Sequence, residues 1–209
     1  MNVFQATRLL LLATLVCVFL ASASFSKQSL ADICSDAAGS SSSTIGFAGI
    51  PAEQAKTALK FETHFRTYGN QFMPQVDWRW FWAQGKQESL FDPYAKSRAG
   101  AMGIMQLMPS TLKEMEGRLG IRINPYNPRL SIMVGIAYDK RMYSQFKRST
   151  VAERLPWMFA SYNAGLGNVL RHQRACNGTR NYELVKSCLY DETRTYVERI
   201  RRYYAASNS

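Results

Sequence analysis

Glu88 is the acid whose surroundings suggest chemistry. It follows an aromatic-rich stretch containing Trp78, Trp80, Phe81 and Trp82, and it precedes a glycine-containing segment. A carboxyl group placed there meets apolar side chains on one side and a loop on the other. Burial without a cationic partner favours the neutral acid and raises its pKa. An ordinary glutamate, near ~4.3, is ionised at neutral pH and has no proton to give. A protonated one can donate, and cleaving a glycosidic bond needs such a donor for the leaving oxygen. No second acid has an obvious partner role, although Glu192 is a candidate. Asp92 precedes Pro93 and reads as a turn former. His64 and His172 stand apart from other chemistry-bearing residues and read as surface or packing positions. Cys176 and Cys188 flank a polar, Gly-containing segment and are expected to form a disulfide, worth roughly 3 kcal/mol in the loop-entropy picture. No His or second Cys lies at ligand spacing, so neither a metal nor a cofactor is expected.

The elements that must position Glu88 read as helices. Apolar residues at helical spacing predict a helix over 51–68, with Gly69 as its stop. A second spans 77–90. Its aromatics fall around much of its circumference, which suggests a helix buried in the centre of the domain. Residues 94–104 carry Gly100 and Gly103 among small side chains and read as a tight loop. Further helices are expected over 110–119 with Gly120 as C-cap, over 127–147, over 157–162, over 165–174 and over 191–206. Asp191 suits an N-cap and Glu192 a first turn. There is no internal repeat and no run of alternating strand residues. The fold class expected is all-α.

The rest of the chain bounds the setting. With 209 residues, 46% of them hydrophobic, the chain can bury one substantial core. A formal net charge of +11 favours a polyanionic partner without choosing among nucleic acid, an acidic membrane surface and an anionic wall polymer. Arg8, the apolar run Leu9–Leu20 and Ala21-Ser22-Ala23 follow the order of a secretory signal peptide. The run is short for a membrane span, which needs ~20 apolar residues. We therefore expect a signal peptide over 1–23, a Ser-rich tether over 24–44 and a catalytic domain over 45–209. The chain is expected to be exported to the periplasm or cell envelope, with no stable membrane span after cleavage. Cys34 is left odd, free or intermolecular. The Arg199-Ile200-Arg201-Arg202 run reads as a solvated helix face, and export argues against a nucleic-acid partner.

Three blocks of residues add a resemblance. Gln87-Glu88-Ser89-Leu90-Phe91-Asp92-Pro93 continues through Ala95-Lys96-Ser97-Arg98-Ala99-Gly100-Ala101-Met102-Gly103 to Ile104-Met105-Gln106-Leu107-Met108-Pro109-Ser110-Thr111. Ala160-Ser161-Tyr162-Asn163-Ala164-Gly165 and Glu192-Thr193-Arg194-Thr195-Tyr196-Val197 follow in order. Together they resemble the signature of the soluble-lytic-transglycosylase-like (SLT) family, over about half the chain. The resemblance implies a lysozyme-like α-helical domain, related in shape to goose-type lysozyme. It implies Glu88 as the catalytic acid. It implies Ser97, Gln106, Met108, Tyr162, Asn163, Glu192 and Tyr196 as residues around the saccharide, and peptidoglycan glycan strands as the partner. Met105 and Leu107 read as core, and Tyr196 equally as packing or contact.

A lytic transglycosylase needs one protein acid/base. Glu88 would protonate the oxygen linking N-acetylmuramic acid to N-acetylglucosamine. It would then take the proton of the muramoyl C6 hydroxyl as that oxygen closes a 1,6-anhydro ring. The nucleophile is already on the sugar, so its effective concentration is high. A hydrolytic muramidase on the same fold, or a non-catalytic wall-binding or secretion-assembly protein, are the other readings. The exported chain is expected to be a monomer that acts in wall turnover, in phage entry or lysis, or beside an envelope-spanning secretion or conjugation apparatus.

Overall fold

The computed structural model describes residues 52–147, 150–176 and 178–208. The signal-peptide and tether segments, with Cys34, lie outside the described residues. The chain divides into two units, Met1–Thr44 and Ile45–Ser209, and the described residues all belong to the second.

That unit is all-helical. α1 spans Ala52–Phe72, α2 Arg79–Ser89, α3 Pro109–Leu119, α4 Pro128–Tyr143, α5 Val151–Ala164, α6 Leu166–Ala175, α7 Tyr182–Val185 and α8 Asp191–Ala206. Short 3₁₀ turns follow α4 at Ser144–Phe146 and α7 at Lys186–Cys188. The described residues contain no β-strand, only isolated bridges from Met102 to Lys96 and to Leu107 in the loop after α2.

The aromatic helix α2 sits where its composition put it. It lies against α1 and α8, while α4 packs on α1 and α5, and α5 on α6 and α8. Phe81, Trp82, Ala83, Gln84 and Gly85 are all buried. Phe91, just beyond the helix, packs on Trp82 and Phe65 with ring centroids 5.1 and 6.1 Å apart. Met105 and Leu107 belong to the same core.

Two element boundaries and one helix cap differ from the sequence expectation for a physical reason. Gly69 does not stop α1, which continues to Phe72. Gly69 is buried, and a Cβ there would collide with Trp78, so this glycine permits close approach of the segment that leads into α2. α5 starts at Val151, well before Trp157, because Thr150 and Glu153 form a reciprocal capping box that satisfies its first turn ahead of Pro156. Asp191 is not the N-cap of α8. Tyr190 occupies that position without a side-chain bond, and Asp191 is the first helical residue, ion-paired with Arg194 at 2.6 Å. The expected cap at Gly120 is present, with φ 67°.

Candidate active site

Glu88 stands in the last turn of α2. The chain then leaves the helix through two non-glycine residues in left-handed conformations, Leu90 at φ 54° and Phe91 at φ 65°. Such conformations cost on the order of 1–3 kcal/mol each and persist where surrounding packing holds them. Here the buried Phe91 ring supplies that packing. The loop beyond is stitched to the helix end, since Ser89 Oγ donates to the Ile104 carbonyl at 2.9 Å. Gly103 has φ 74°, and a Cβ on it would run into the Pro125 carbonyl, so both conformation and space require glycine.

The Glu88 carboxyl opens onto a pocket of about 430 Å³ lined by Gln87, Glu88, Asn163, Asp191, Glu192, Thr195, Tyr196 and Arg199. The residue keeps a partly exposed face toward that pocket, while protein packs round the carboxyl on its other sides. Tyr196 donates its hydroxyl to Glu88 Oε1 at 2.5 Å. Burial pushes the Glu88 carboxyl up to about 8, and the Tyr196 hydrogen bond opposes only part of that rise. The cation nearest in sequence, Lys86, turns away to lie over the Tyr203 ring at 4.5 Å. Glu88 is therefore a neutral acid at neutral pH, able to donate a proton to a bound group.

A polar chain runs inward from this acid. Gln84, one helical turn before Glu88, gives its Nε2 hydrogens to Tyr196 Oη and to Asp139 Oδ1 of α4, both at 3.3 Å. Asp139 is fully buried, and burial first, then the neighbouring Glu88, hold its carboxyl well above the usual range. Tyr162 donates to the Met105 carbonyl at 2.7 Å, tying α5 to the loop. The hydroxyls of Tyr162 and Tyr196 are both raised by burial and then by Glu88, so both stay protonated.

The residues singled out in the sequence divide into two sets. Glu88, Asn163, Glu192 and Tyr196 line one pocket, and Tyr162 stands behind it within electrostatic reach of Glu88. Asn163 accepts from Thr193 Oγ1 at 2.8 Å, which links α5 to α8 across the pocket. Ser97 and Gln106 instead turn into their own loop. Ser97 Oγ accepts from the Ala101 amide, and Gln106 Nε2 donates to the Ala95 and Gly103 carbonyls. Met108 is 38% exposed at the start of α3 and is not among the pocket-lining residues. Cys176 and Cys188 form a disulfide, with Cα atoms 6.4 Å apart. Gln84 and Asp139 were not picked out from the sequence. The i, i+4 spacing of Gln84 to Glu88, and an Asp inside the apolar spacing of α4, were the available signals.

An all-helical domain that holds one protonated carboxylic acid at the edge of a cleft is of the lysozyme-like class. The chain belongs to the transglycosylase SLT domain family, which matches residues 69–185. It is 34% identical over 169 residues to the membrane-bound lytic murein transglycosylase F of Hahella chejuensis, covering 69% of this chain and 32% of that protein. The protein of the same name from Pseudomonas fluorescens is 36% identical over 111 residues, 53% of this chain and 21% of that one. Among solved structures, the lytic transglycosylase Slt of Pseudomonas aeruginosa, an inactive mutant, superposes with a TM-score of 0.60 at 28% identity, covering 72% of this chain and 24% of that one. The 70 kDa soluble lytic transglycosylase of Escherichia coli gives 0.57 at 27% identity, over 74% and 27% of the two chains. The chain thus spans about a third or less of the length of these relatives.

Proposed function

We propose that this protein cleaves the glycan strands of peptidoglycan as a lytic transglycosylase, with Glu88 as its single acid/base. The observation that carries the reading is the Glu88 carboxyl itself, held protonated to about pH 8 by burial and open to a pocket. In the first step Glu88 gives its proton to the glycosidic oxygen, and the bond from that oxygen to the muramoyl C1 breaks. In the second, the C6 hydroxyl oxygen bonds to C1 and its proton passes to Glu88, which restores the acid. Asp139 is buried behind Gln84 and has no access to a sugar, so it is not the second carboxyl of a hydrolase pair. Tyr196, Asn163 and Glu192 are the groups that would meet the saccharide in the pocket. Ser97 and Gln106 would hold the loop that shapes it, and Met108 would add apolar surface at its edge.

The setting proposed is the cell envelope. The signal-peptide-like order of residues 1–23 and the membrane-bound relatives support it. No described helix is long and apolar enough to cross a membrane. We read the protein as a monomer on its polymeric substrate, with an envelope-spanning secretion or conjugation apparatus as a partner that co-purification from native envelopes would test. The decisive experiment is digestion of purified sacculi followed by mass spectrometry of the muropeptide ends. 1,6-anhydromuramoyl ends are expected. Reducing ends would replace this reading with hydrolysis.

A further inference from the structure

The buried polar chain behind Glu88 has an order that its donors impose. Gln84 Nε2 is the atom within reach of both Asp139 Oδ1 and Tyr196 Oη. An amide nitrogen only donates, so both of those oxygens must accept from it. Tyr196 Oη, having accepted from Gln84, has its single proton left for Glu88 Oε1. Glu88 Oε1 is thereby an acceptor, and the proton of the neutral Glu88 acid belongs on Oε2. If the Gln84 amide were turned round, its carbonyl oxygen would face Tyr196 and take that hydroxyl proton, leaving Glu88 without its donor. Neutral Asp139 carries one proton, and with it on Oδ2 the acceptor at Oδ1 is what holds the nitrogen in place. Gln84 Oε1 and Asp139 Oδ2 are buried and find no hydrogen-bond partner among the described residues, so neither supplies a competing anchor.

We propose that Asp139 is a positioning residue for Glu88, acting through Gln84 and Tyr196. It fixes the Gln84 amide so that Tyr196 donates to Glu88 Oε1 and Oε2 is left to exchange the proton with the sugar. This rests on Glu88 being the acid of the proposed reaction. The same bond that orients Glu88 also steadies the carboxylate formed after the first proton transfer. The buried groups around it are an acid, hydroxyls and an amide, and among the described residues the one cation, Arg199, lies on the open pocket. Those groups are Asp139 from α4, Tyr162 from α5, Tyr196 from α8 and Gln84 on its own helix, with Gln87, Glu192 and Arg199 around the open pocket. Two buried acids so placed do not ionise together. Asp139 stays neutral while Glu88 cycles, and it works as a hydrogen-bond acceptor rather than as a charge.

The test compares Asp139→Leu, Asp139→Asn and Gln84→Met in the full chain. The Glu88 titration is followed by ¹³C NMR of the side-chain carboxyl in the resting protein. Releasing Gln84 weakens the Tyr196 bond to Glu88, which favours the ionised form, so the Glu88 titration should move to higher pH in Asp139→Leu. Gln84→Met has no carbonyl to take the Tyr196 proton, so its titration should stay near that of the parent, and adding Asp139→Leu to it should bring no further shift. Asp139→Ala provides the comparison should the Leu variant fold poorly. Asp139→Asn retains an oxygen acceptor and should return the titration toward that of the parent. On sacculi, Asp139→Leu should lose roughly tenfold in kcat, a part of what displacing a reacting group costs, with KM little changed. The Asn variant should recover most of that loss. A purely structural Asp139 would change the folded fraction but neither the titration nor its rescue. An unchanged or lowered Glu88 titration in Asp139→Leu, or an upward shift that persists when Gln84 is also Met, overturns the inference. This readout needs no substrate, so it stands apart from the sacculus digest, whose failure would overturn the proposed function alone.

Discussion

Two glutamates in this molecule are driven in opposite directions by their surroundings. Glu183 opens α7 inside the segment closed by the Cys176–Cys188 disulfide. Lys186 meets it at 2.7 Å and Arg201 at 2.8 Å, and these partners hold its carboxyl below the usual range. Glu88 has a tyrosine where Glu183 has cations, and burial lifts it to about 8. The chain carries 26 Lys and Arg against 15 Asp and Glu, so an acid left without a cation goes against its composition. At the pocket Arg199 is the basic residue on the lining, but no cation bonds to the Glu88 carboxyl among the described residues, and Lys86 is folded back on an aromatic ring two residues before it. Elsewhere the same charges pair with acids at the surface. Proton donation at neutral pH comes from that local withdrawal of positive charge, more than from the glutamate itself.

Glu88→Gln should break the contrast most strongly. It keeps the shape of the side chain and removes the exchangeable proton, so release of muropeptides should fall on the order of a thousandfold. The fold should gain. In the folded chain Glu88 holds its proton to about 8, whereas unfolded it releases it near its model value of 4.5. The native state binds more protons between those values, so wild-type stability declines as pH rises through that window. A glutamine has no such dependence. The variant should be more stable, by roughly 1–2 kcal/mol, with the difference greatest above pH 8. Denaturant titrations at pH 5 and pH 9 check this, and a variant that is less stable at pH 9 contradicts the burial argument.

Tyr196→Phe should be the next largest effect. Among the described residues it removes the one side chain that donates to Glu88, and it leaves the buried ring in place. The acid becomes harder to ionise, so the high-pH limb of activity, set near pH 8 in the parent, should move upward. The anionic state after proton transfer loses a charge-assisted bond, and kcat should fall by roughly ten- to a hundredfold. Circular dichroism should be unchanged. A limb that stays put would mean that Tyr196 serves packing alone.

How far this site could be read in the sequence follows from the range of the forces involved. The aromatic pattern of α2 gave a central helix, and local burial gave a raised carboxyl at Glu88, because both depend on near neighbours. The loop glycines were legible for the same reason, and Gly103 requires its residue type by conformation and by space. The partners that complete the site come from α4, α5 and α8. The family blocks marked Tyr162, Asn163, Glu192 and Tyr196 on α5 and α8, but nothing local in α4 announces a meeting of Asp139 with the site. Asp139 lies 55 residues from Gln84, and only tertiary packing joins them. Gln106 and Ser97 show the converse. Their motif marked them as groove residues, and in the structure their side chains make the hydrogen bonds of a tight loop, a role that only the folded loop reveals. The expected helix over 157–162 starts earlier, at Val151, where the Thr150–Glu153 capping box closes its first turn ahead of Pro156.

The disulfide-closed segment should respond to a different perturbation. Replacing Cys176 and Cys188 together with Ser opens a link of sequence separation 12. The unfolded chain gains loop entropy, and stability should drop by roughly 3 kcal/mol. The bond touches none of the pocket residues, so the kcat of the folded fraction should be retained. Chemical denaturation alongside sacculus digestion separates the two effects. A parallel loss of kcat would show that the segment braces the pocket through α8.

Glu183→Gln is the smallest change and the sharpest check on the comparison, since it is the same substitution as at Glu88 in the opposite environment. It deletes the acceptor of two ion pairs, to Lys186 and Arg201, on a side chain 49% exposed. Its folded-state pKa is depressed, so its contribution is present above the unfolded pKa and lost as the pH falls through the folded one. Water and salt screen such a pair, which limits the cost at neutral pH to roughly 0–1 kcal/mol. The sign is opposite to that of Glu88→Gln, which should stabilise the protein, and the pH windows are opposite too. At pH 9 one variant should gain stability and the other lose a little, while near pH 3 both differences should shrink. Activity should not respond to Glu183→Gln at any pH. If the two variants moved stability in the same direction at pH 9, the difference in local charge between pocket and surface would not be what sets the proton on Glu88.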